Sequence, residues 1–387
     1  MKFNRYALSD LATIKYGKNQ KKVLSESGNI PIYGTGGLMG YATTALYDKP
    51  SVLIGRKGTI GKVKYVEHPF WTVDTLFYTI VNTDIVLPKY LYYVMSLIDL
   101  NNYNEGTTIP SLRTETLNRL EFDIPSLVEQ ETILSCLNPI DEKNALNNAI
   151  NNNLLEQIKT ICTAWLSEYK PFDGVMPSDW VETPLSDIAE FISGYSYKGT
   201  ELTDSTIAMA TIKNFDRKGG FKLDGYKEII PSSKLKESQH AELFDTLVAH
   251  TDLTQNAEVI GNAEPVMSKS GYDDIVFSMD LVKVLPKKDG VSKYLITAIL
   301  QDKKFKAHCL GYVNGTTVLH LSKKALPEYK LFLPSDFSTL KPLDEVVTAL
   351  YKQVSSNISE NTYLEELRES LLPKLMSGEL DVSDIEI

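Results

Sequence analysis

The chain carries the same sequence frame twice. Leu8-Ser-Asp-Leu-Ala12, followed by Gly17-Lys18, opens the first copy. Leu185-Ser-Asp-Ile-Ala189, followed by Gly194 and Lys198-Gly199, opens the second. Gly106-Thr-Thr-Ile-Pro-Ser-Leu112 and a strand ending in Ile124-Pro125 close the first copy; Gly315-Thr-Thr-Val-Leu-His-Leu321 and Leu331-Phe-Leu-Pro334 close the second. The opening blocks lie 177 residues apart and the closing blocks 209, so the second copy encloses 32 more residues. Such a repeat calls for two domains with one frame and different interiors. A length of 387 residues suits two domains with connecting elements better than one core.

Each copy is followed by helical sequence. A first segment runs from Leu127-Val-Glu-Gln-Glu131 to about Leu137, and Asn138-Pro139 reads as a cap and restart. The next helix is predicted from Pro139 to Tyr169, 31 residues, about 46 Å long. Its apolar stripe is Leu146, Ile150, Leu154, Ile158, Ile161, Trp165 and Tyr169, mostly at steps of four. Near the C-terminus Pro342 opens a second long helix with the stripe Val346, Leu350, Val354, Ile358, Leu364, Leu367 and Leu371; Pro373 and Gly378 end it. Both stripes are longer than one small domain needs, so the helices are expected to pack antiparallel as a shared spacer; each helix lying on its own domain is the alternative. The fold class is therefore α+β with a pseudo-two-fold repeat. Two domains, 1–126 and 172–336, each a mixed twisted sheet with helices, are separated by helical regions at 127–171 and 337–387.

Composition excludes several classes. Hydrophobic residues at 43% and charged residues at 23% describe a globular chain. No apolar run reaches the ~18 residues of a membrane span. The opening MKFNRYALSDLATIKYG lacks the apolar core of a secretion signal, so a cytoplasmic location is expected. Cys136, Cys162 and Cys309 are odd in number and dispersed, which suits a reducing compartment. The net charge of −10 is unevenly spread. Residues 1–126 hold 14 basic against 11 acidic side chains, 127–171 hold 3 against 6, 172–336 hold 19 against 23, and 337–387 hold 4 against 10. The acidic total thus leaves room for a polyanion partner met through local basic patches.

Catalytic patterns are missing. His68, His240, His250, His308 and His320 make no metal-binding spacing, and His308-Cys309 reads as loop or core. No Asn/Asp-Pro-Pro-aromatic loop is present to hold a flipped base. The run Tyr33-Gly-Thr-Gly-Gly-Leu-Met-Gly40 follows Pro31 and leads into no helix cap, so it reads as a turn or nucleic-acid-facing loop rather than a dinucleotide cradle. Glu168-Tyr-Lys170 and Glu328-Tyr-Lys330 lack the further carboxylates of a nuclease, and no GxxxxGK[ST] loop occurs. The chain is expected to hold no catalytic residue, metal or cofactor of its own.

What remains is a set of glycine-bearing polar loops. A short apolar strand delivers Ile54-Gly-Arg-Lys-Gly-Thr-Ile-Gly-Lys-Val63, where Arg56, Lys57 and Lys62 can reach phosphates or a guanine edge and Thr59 can bond either. An ordinary basic hairpin accounts for the same residues. Tyr33 and Thr35, the Asn104-Glu-Gly-Thr-Thr108 loop with Thr107 and Thr108, and Arg113 complete the candidates of the first copy. In the second they are Lys213, Asn214, His250, Thr251, Thr254 and Gln255, with Thr316 and Thr317 mirroring the Gly-Thr-Thr of the first. A turn common to two copies of one fold explains that mirrored pair equally well.

In this order the blocks resemble the specificity subunit of type I DNA restriction–modification systems over nearly the whole length. The resemblance rests on Leu8-Ser-Asp-Leu-Ala12, Ile30-Pro-Ile-Tyr-Gly34 with Gly36-Gly37, and Ile54 to Gly61. It is strongest in Ile124-Pro-Ser-Leu-Val-Glu-Gln-Glu131, Asp141-Glu-Lys143 with Leu146-Asn147, and Leu371-Leu-Pro-Lys-Leu-Met-Ser-Gly378. The second copy departs from the pattern: Leu247-Val-Ala-His-Thr251 lacks the Gly-Arg-Lys loop. The resemblance implies two target-recognition domains, each reading one part of a split double-stranded DNA sequence. It implies helices that set the gap between the parts and dock two modification subunits, through residues such as Leu146, Ile150, Leu154, Ile158, Trp165, Val354, Ile358, Leu364, Leu367 and Leu371. S-adenosylmethionine would belong to those adenine methyltransferase partners, and ATP and Mg to restriction partners. A methyltransferase or nuclease with degenerate motifs, and a scaffold that never touches DNA, are the competing readings.

Overall fold

The glycines that open the two frames sit against backbone. A Cβ on Gly17 would lie 2.0 Å from the Val73 carbonyl oxygen, and one on Gly194 2.0 Å from that of Ser278. In this computed structural model, which describes residues 1–217 and 219–383, the repeat is a repeat of topology. The chain forms two compact units: residues 1–143 together with the chain from Leu364 onward, and Asn144–Tyr363.

In the first unit, Asn4–Ala7 pairs antiparallel with Glu121–Ile124. The short helix Leu8–Leu11 buries both its leucines, and Asp10 accepts a hydrogen bond from the Ala7 N–H. An antiparallel sheet follows in the order Ala12–Tyr16, Leu76–Val81, Ser51–Gly55, Val63–Val66. A second sheet has the order Gly37–Ala42, Ile30–Gly34, Trp71–Thr72, with the last junction parallel. Ser51–Gly55 is buried along its whole length, as its unbroken apolar run requires. The core joins Leu8, Val52, Ile54, Phe77 and Tyr90 to Ile133 and Leu137 of one long helix and Leu375 of the other.

The second unit repeats these pairings one for one. Trp180–Pro184 pairs with Lys330–Pro334. The four-stranded sheet runs Ala189–Ser193, Leu281–Pro286, Thr246–Ala249, Ala263–Pro265, and the three-stranded sheet Lys227–Glu228, Ile207–Ala210, Asp274–Phe277, again with the last junction parallel. The unit adds a small sheet of Thr251–Asp252, Leu319–Leu321 and Val313–Asn314. At the matching place in the first unit a single bridge joins Lys57 to Ser111.

The helices depart from expectation in three ways. The first is continuous over Leu127–Leu166, 40 residues, with Pro139 inside it rather than restarting it. Proline removes one backbone hydrogen bond and costs ~3 kcal/mol in a helix interior; Leu137 at 0% exposure and Ile140 at 7% anchor the chain on both sides. Ser126 starts this helix with a capping box, its N–H and Oγ both donating to Glu129. Next, Lys341–Ser377 runs through Pro373, and the true stop is Gly378 at φ 77°. Finally, at Asn147 and Asn151 the face buried within the second unit lies one residue off the apolar stripe, which it rejoins at Ile158. Leu146 is 54% exposed, whereas Asn147 at 1% and Asn151 at 7% turn inward with Ile158 and Cys162. Asn147 Nδ2 donates to Asn361 Oδ1 (2.9 Å) and Glu360 Oε2 (2.8 Å), Asn361 Nδ2 to Asn148 Oδ1 (3.0 Å), and Asn357 Nδ2 to Asn151 Oδ1 (2.8 Å). These partners define an antiparallel seam. Apolar periodicity misplaced it because paired asparagines satisfy each other and can stay buried. No described helix is long and apolar enough to cross a membrane.

Candidate nucleic-acid interface

In the first unit, the strand Ser51–Gly55 ends at Arg56, whose main chain is fully engaged. Its N–H donates to the Thr75 carbonyl (2.9 Å) and its carbonyl accepts from Leu112 (2.9 Å). One guanidinium nitrogen donates to the Asp74 carbonyl at 2.7 Å, and the group lies 5.0 Å above the Tyr16 ring. This anchoring removes side-chain freedom in advance and leaves the outer N–H groups of a planar fork. Lys57, Thr59 and Lys62 are exposed beside it. Gly58 donates to the Pro110 carbonyl at 2.9 Å, joining this loop to 104–113, where Thr107 and Thr108 are exposed. The turn there requires glycine, since a Cβ on Gly106 would meet the Ile109 oxygen at 1.9 Å. Arg113 is exposed but pairs with Glu105 at 3.2 Å. Thr35, at the tip between strands Ile30–Gly34 and Gly37–Ala42, adjoins the basic loop: a Cβ on Gly58 would lie 3.9 Å from Thr35 Oγ1. Thr35, Arg56, Lys57, Thr59 and the Thr107–Thr108 loop thus converge.

Tyr33 points elsewhere. It is buried, its hydroxyl 3.3 Å from His68 Nε2 and its ring 4.0 Å from Lys64 Nζ. Burial, with Tyr41 nearby, raises its pKa, so it stays a neutral phenol. With Tyr41, Lys64 and His68 it walls a separate cleft of about 620 Å³.

The second unit uses the same backbone with other side chains. His250 donates its N–H to the Asp280 carbonyl (2.8 Å) and accepts from Leu321 (2.8 Å), the two bonds that Arg56 makes. Its imidazole is withdrawn from solvent; burial, helped by Lys323, pulls its pKa down to about 4, so the ring is neutral. Its Nε2 has no hydrogen-bond partner among the described residues. Thr251 is buried, with Oγ1 3.3 Å from His320 Nδ1. Thr254 is tied through N and Oγ1 to Asp252 Oδ1, both at 2.8 Å. Gln255 is exposed and donates to the Thr316 carbonyl, so Gln255, Thr316 and Thr317 form one outward polar rim.

Lys213 is exposed, whereas its neighbour Asn214 is buried at 0% and spent within its turn. Asn214 Oδ1 accepts from the Thr211 N–H (2.9 Å) and Nδ2 donates to the Lys222 carbonyl (2.8 Å). Sequence reasoning missed Arg217 and Lys222, which line a recess of about 370 Å³ with Lys213, Asp252 and Thr254. The sequence Arg217-Lys-Gly-Gly-Phe-Lys222 carried the signal, masked by the acidic balance of the domain. Of the helix residues, Ile158 and Val354 are core at 1% and 2% exposure; Leu154, Trp165, Ile358, Leu364, Leu367 and Leu371 are half-buried; Leu146 and Ile150 are exposed. Among the described residues no group of three or more His, Cys, Asp or Glu side chains is placed to hold a metal.

Comparison with known proteins points one way. A family model described as the type I restriction modification DNA specificity domain matches residues 2–156. The chain is 23% identical over 368 residues to the type I restriction enzyme MjaIX specificity subunit of Methanocaldococcus jannaschii, covering 88% of this chain and 80% of that protein. It is 23% identical over 388 residues to the HindI specificity subunit of Haemophilus influenzae, covering 83% and 84%. The crystal structure of a type I restriction–modification S subunit from M. genitalium shares the fold, with TM-score 0.55 at 17% identity over 97% of this chain and 96% of that one. Over most of its length the chain is thus similar to type I restriction enzyme specificity subunits, and its first 156 residues carry the match to the specificity-domain model.

Proposed function

We propose that each unit reads one part of a bipartite, asymmetric double-stranded DNA target. The observation that supports this is the pairing of a strand topology common to both units with loops that differ at equivalent positions: Arg56 in one, a neutral His250 in the other. A cationic fork suits a phosphate or guanine edge, and an uncharged Gln/Thr rim suits base edges without phosphate attraction. Different chemistry in one frame gives different half-sites. The recognition domains correspond to 1–126 and 172–336. The helical regions 127–171 and 337–387 set the gap between half-sites and dock two adenine methyltransferase subunits, for which exposed Leu146 and Ile150 offer apolar contact. S-adenosylmethionine belongs to those partners, and ATP with Mg to restriction subunits where these join. The setting is the bacterial or archaeal cytoplasm.

The test is to sequence DNA methylated by the chain co-expressed with a type I modification subunit. A split motif is expected, with half-sites near one helical turn, about 10 bp, centre to centre. Inserting one heptad at 147–153 should change the gap and leave both half-sites intact. A continuous motif, or a gap indifferent to the insertion, would refute the reading.

A further inference from the structure

The two units differ most in length at one hairpin. In the first, strands Ile30–Gly34 and Gly37–Ala42 are joined by two residues, with Thr35 at the tip against the basic loop. In the second, the matching strands Ile207–Ala210 and Lys227–Glu228 are joined by residues 211–226. This excursion is well built. Lys222 N–H donates to the Asn214 carbonyl at 2.7 Å and its carbonyl accepts from Asn214 Nδ2, while Phe215 and Phe221 bridge antiparallel and meet edge to face at 6.2 Å. The turn beyond is held from below, where the Gly220 N–H donates to Glu264 Oε1 at 2.7 Å.

That ribbon carries Lys213 and Lys222 on adjoining positions, both exposed. Neither ammonium has a hydrogen bond or ion pair among the described residues. Neighbouring like charges on a hydrogen-bonded ribbon repel each other, and an anion between them removes the penalty. The acidic groups nearby are mostly committed. Asp252 is 2% exposed and accepts from Thr254 and Val259, and Glu258 pairs with Arg217 at 3.2 Å. Asp224 alone faces the recess as an exposed carboxylate. The opposite wall is Asp252 to Thr254, which leads directly into exposed Gln255.

We propose that this recess binds a phosphodiester oxyanion of the DNA backbone through Lys213 and Lys222, and so sets the register of the Gln255–Thr316 rim on the bases. The assignment rests on the DNA-reading function proposed above. It gives an acidic domain its grip on a polyanion through an insertion that the other unit lacks. Phosphate contacts position a protein, and base contacts specify the sequence.

The test uses the full chain co-expressed with a type I modification subunit and compares the wild type with Lys213→Gln/Lys222→Gln. Both are exposed lysines, so folding is expected to persist, checked by circular dichroism. Dissociation constants are measured for the methylated target and for a scrambled duplex across a salt series. Wild-type preference for the target tests the function itself; its absence overturns both proposals. Given that preference, the double variant should weaken both duplexes by the same factor, on the order of tenfold or more, and reduce the slope of log K against log salt by about 1 to 2. Gln255→Ala should instead alter the ratio between the duplexes. A changed ratio with an unchanged slope in the lysine variant, or no change in either, overturns the phosphate assignment alone. Amine labelling of Lys213 and Lys222 separates the anion sources: protection by any duplex supports the proposal, and equal protection by inorganic phosphate at the same ionic strength overturns it.

Discussion

Asn151 and Asn357 face each other across the helical seam of the second unit, both at 7% exposure, with Asn357 Nδ2 donating to Asn151 Oδ1 at 2.8 Å. Asn357 Oδ1 is also in use, accepting from Gln353 Nε2 at 2.8 Å. Replacing Asn151 alone by leucine strands a buried amide donor, at a cost of about 1–3 kcal/mol. Replacing Asn357 alone strands the Asn151 carbonyl and costs a similar amount. Replacing both puts two leucines against each other in a seam already flanked by Val354 and Ile158. The double variant should then recover most of the loss, because apolar pairs of similar volume replace buried polar pairs at little cost. The interaction energy of the cycle is expected at roughly 2 kcal/mol. Urea unfolding of the full chain in a Trp71→Phe background, followed by the fluorescence of Trp165 and Trp180, reads the unit concerned. Strictly additive single-variant losses would refute the claim that the asparagines satisfy one another.

Two further outcomes follow from the packing. Burial pushes Glu264 up to about 7 despite hydrogen bonds from Gly220 and Gln301. The folded chain therefore holds a proton between pH 4.5 and 7 that the unfolded chain releases, so stability falls as pH rises through that window, by at most about 3 kcal/mol. Glu264→Gln should flatten the pH dependence of the melting temperature there, and an unaltered profile would count against it. Gly17→Ala drives a Cβ into backbone and should cost about 1–3 kcal/mol or more, whereas Gly36→Ala, with nothing within 4 Å, should leave the melting temperature nearly unchanged. Equal effects at the two glycines would show that the close approach does not constrain the frame.

The repeat was legible because it resides in residues whose neighbours are backbone. Gly17 and Gly194 cannot change without moving a strand, and Leu8 and Leu185 fill equivalent buried sites. The helix interior was harder to read. Pro139 signalled a break that flanking burial overrides, and the seam was placed on leucines because hydrophobic counting is blind to asparagines that pair. The landmark Ser126, Glu129 and Gln130 turned out to be structural: a capping box, and a fully buried amide that donates to the Ile85 and Pro125 carbonyls and accepts from Leu87. The candidate surface was half visible. Side-chain type marked Arg56, Lys57 and Gln255, but only coordinates show that Tyr33, Asn214 and His250 are turned inward. Within the excursion at 211–226 the sequence marked Lys213 but not Lys222, because the recess they line with Thr254 is formed only by tertiary structure.

Chain-closure statistics give that excursion another meaning. Lengthening a flexible connection from two residues to sixteen costs only about 2 kcal/mol of loop entropy, since the penalty grows with the logarithm of length. The flanking pairs, Ala208 opposite Glu228 and Met209 opposite Lys227, keep the hairpin closed whatever the loop contains. The hairpin end is thus a port where chain can be added at small thermodynamic expense, beside the Asp252–Thr254 loop. Divergence that keeps the frame would find its least costly variable there, in the number of residues rather than in their identity.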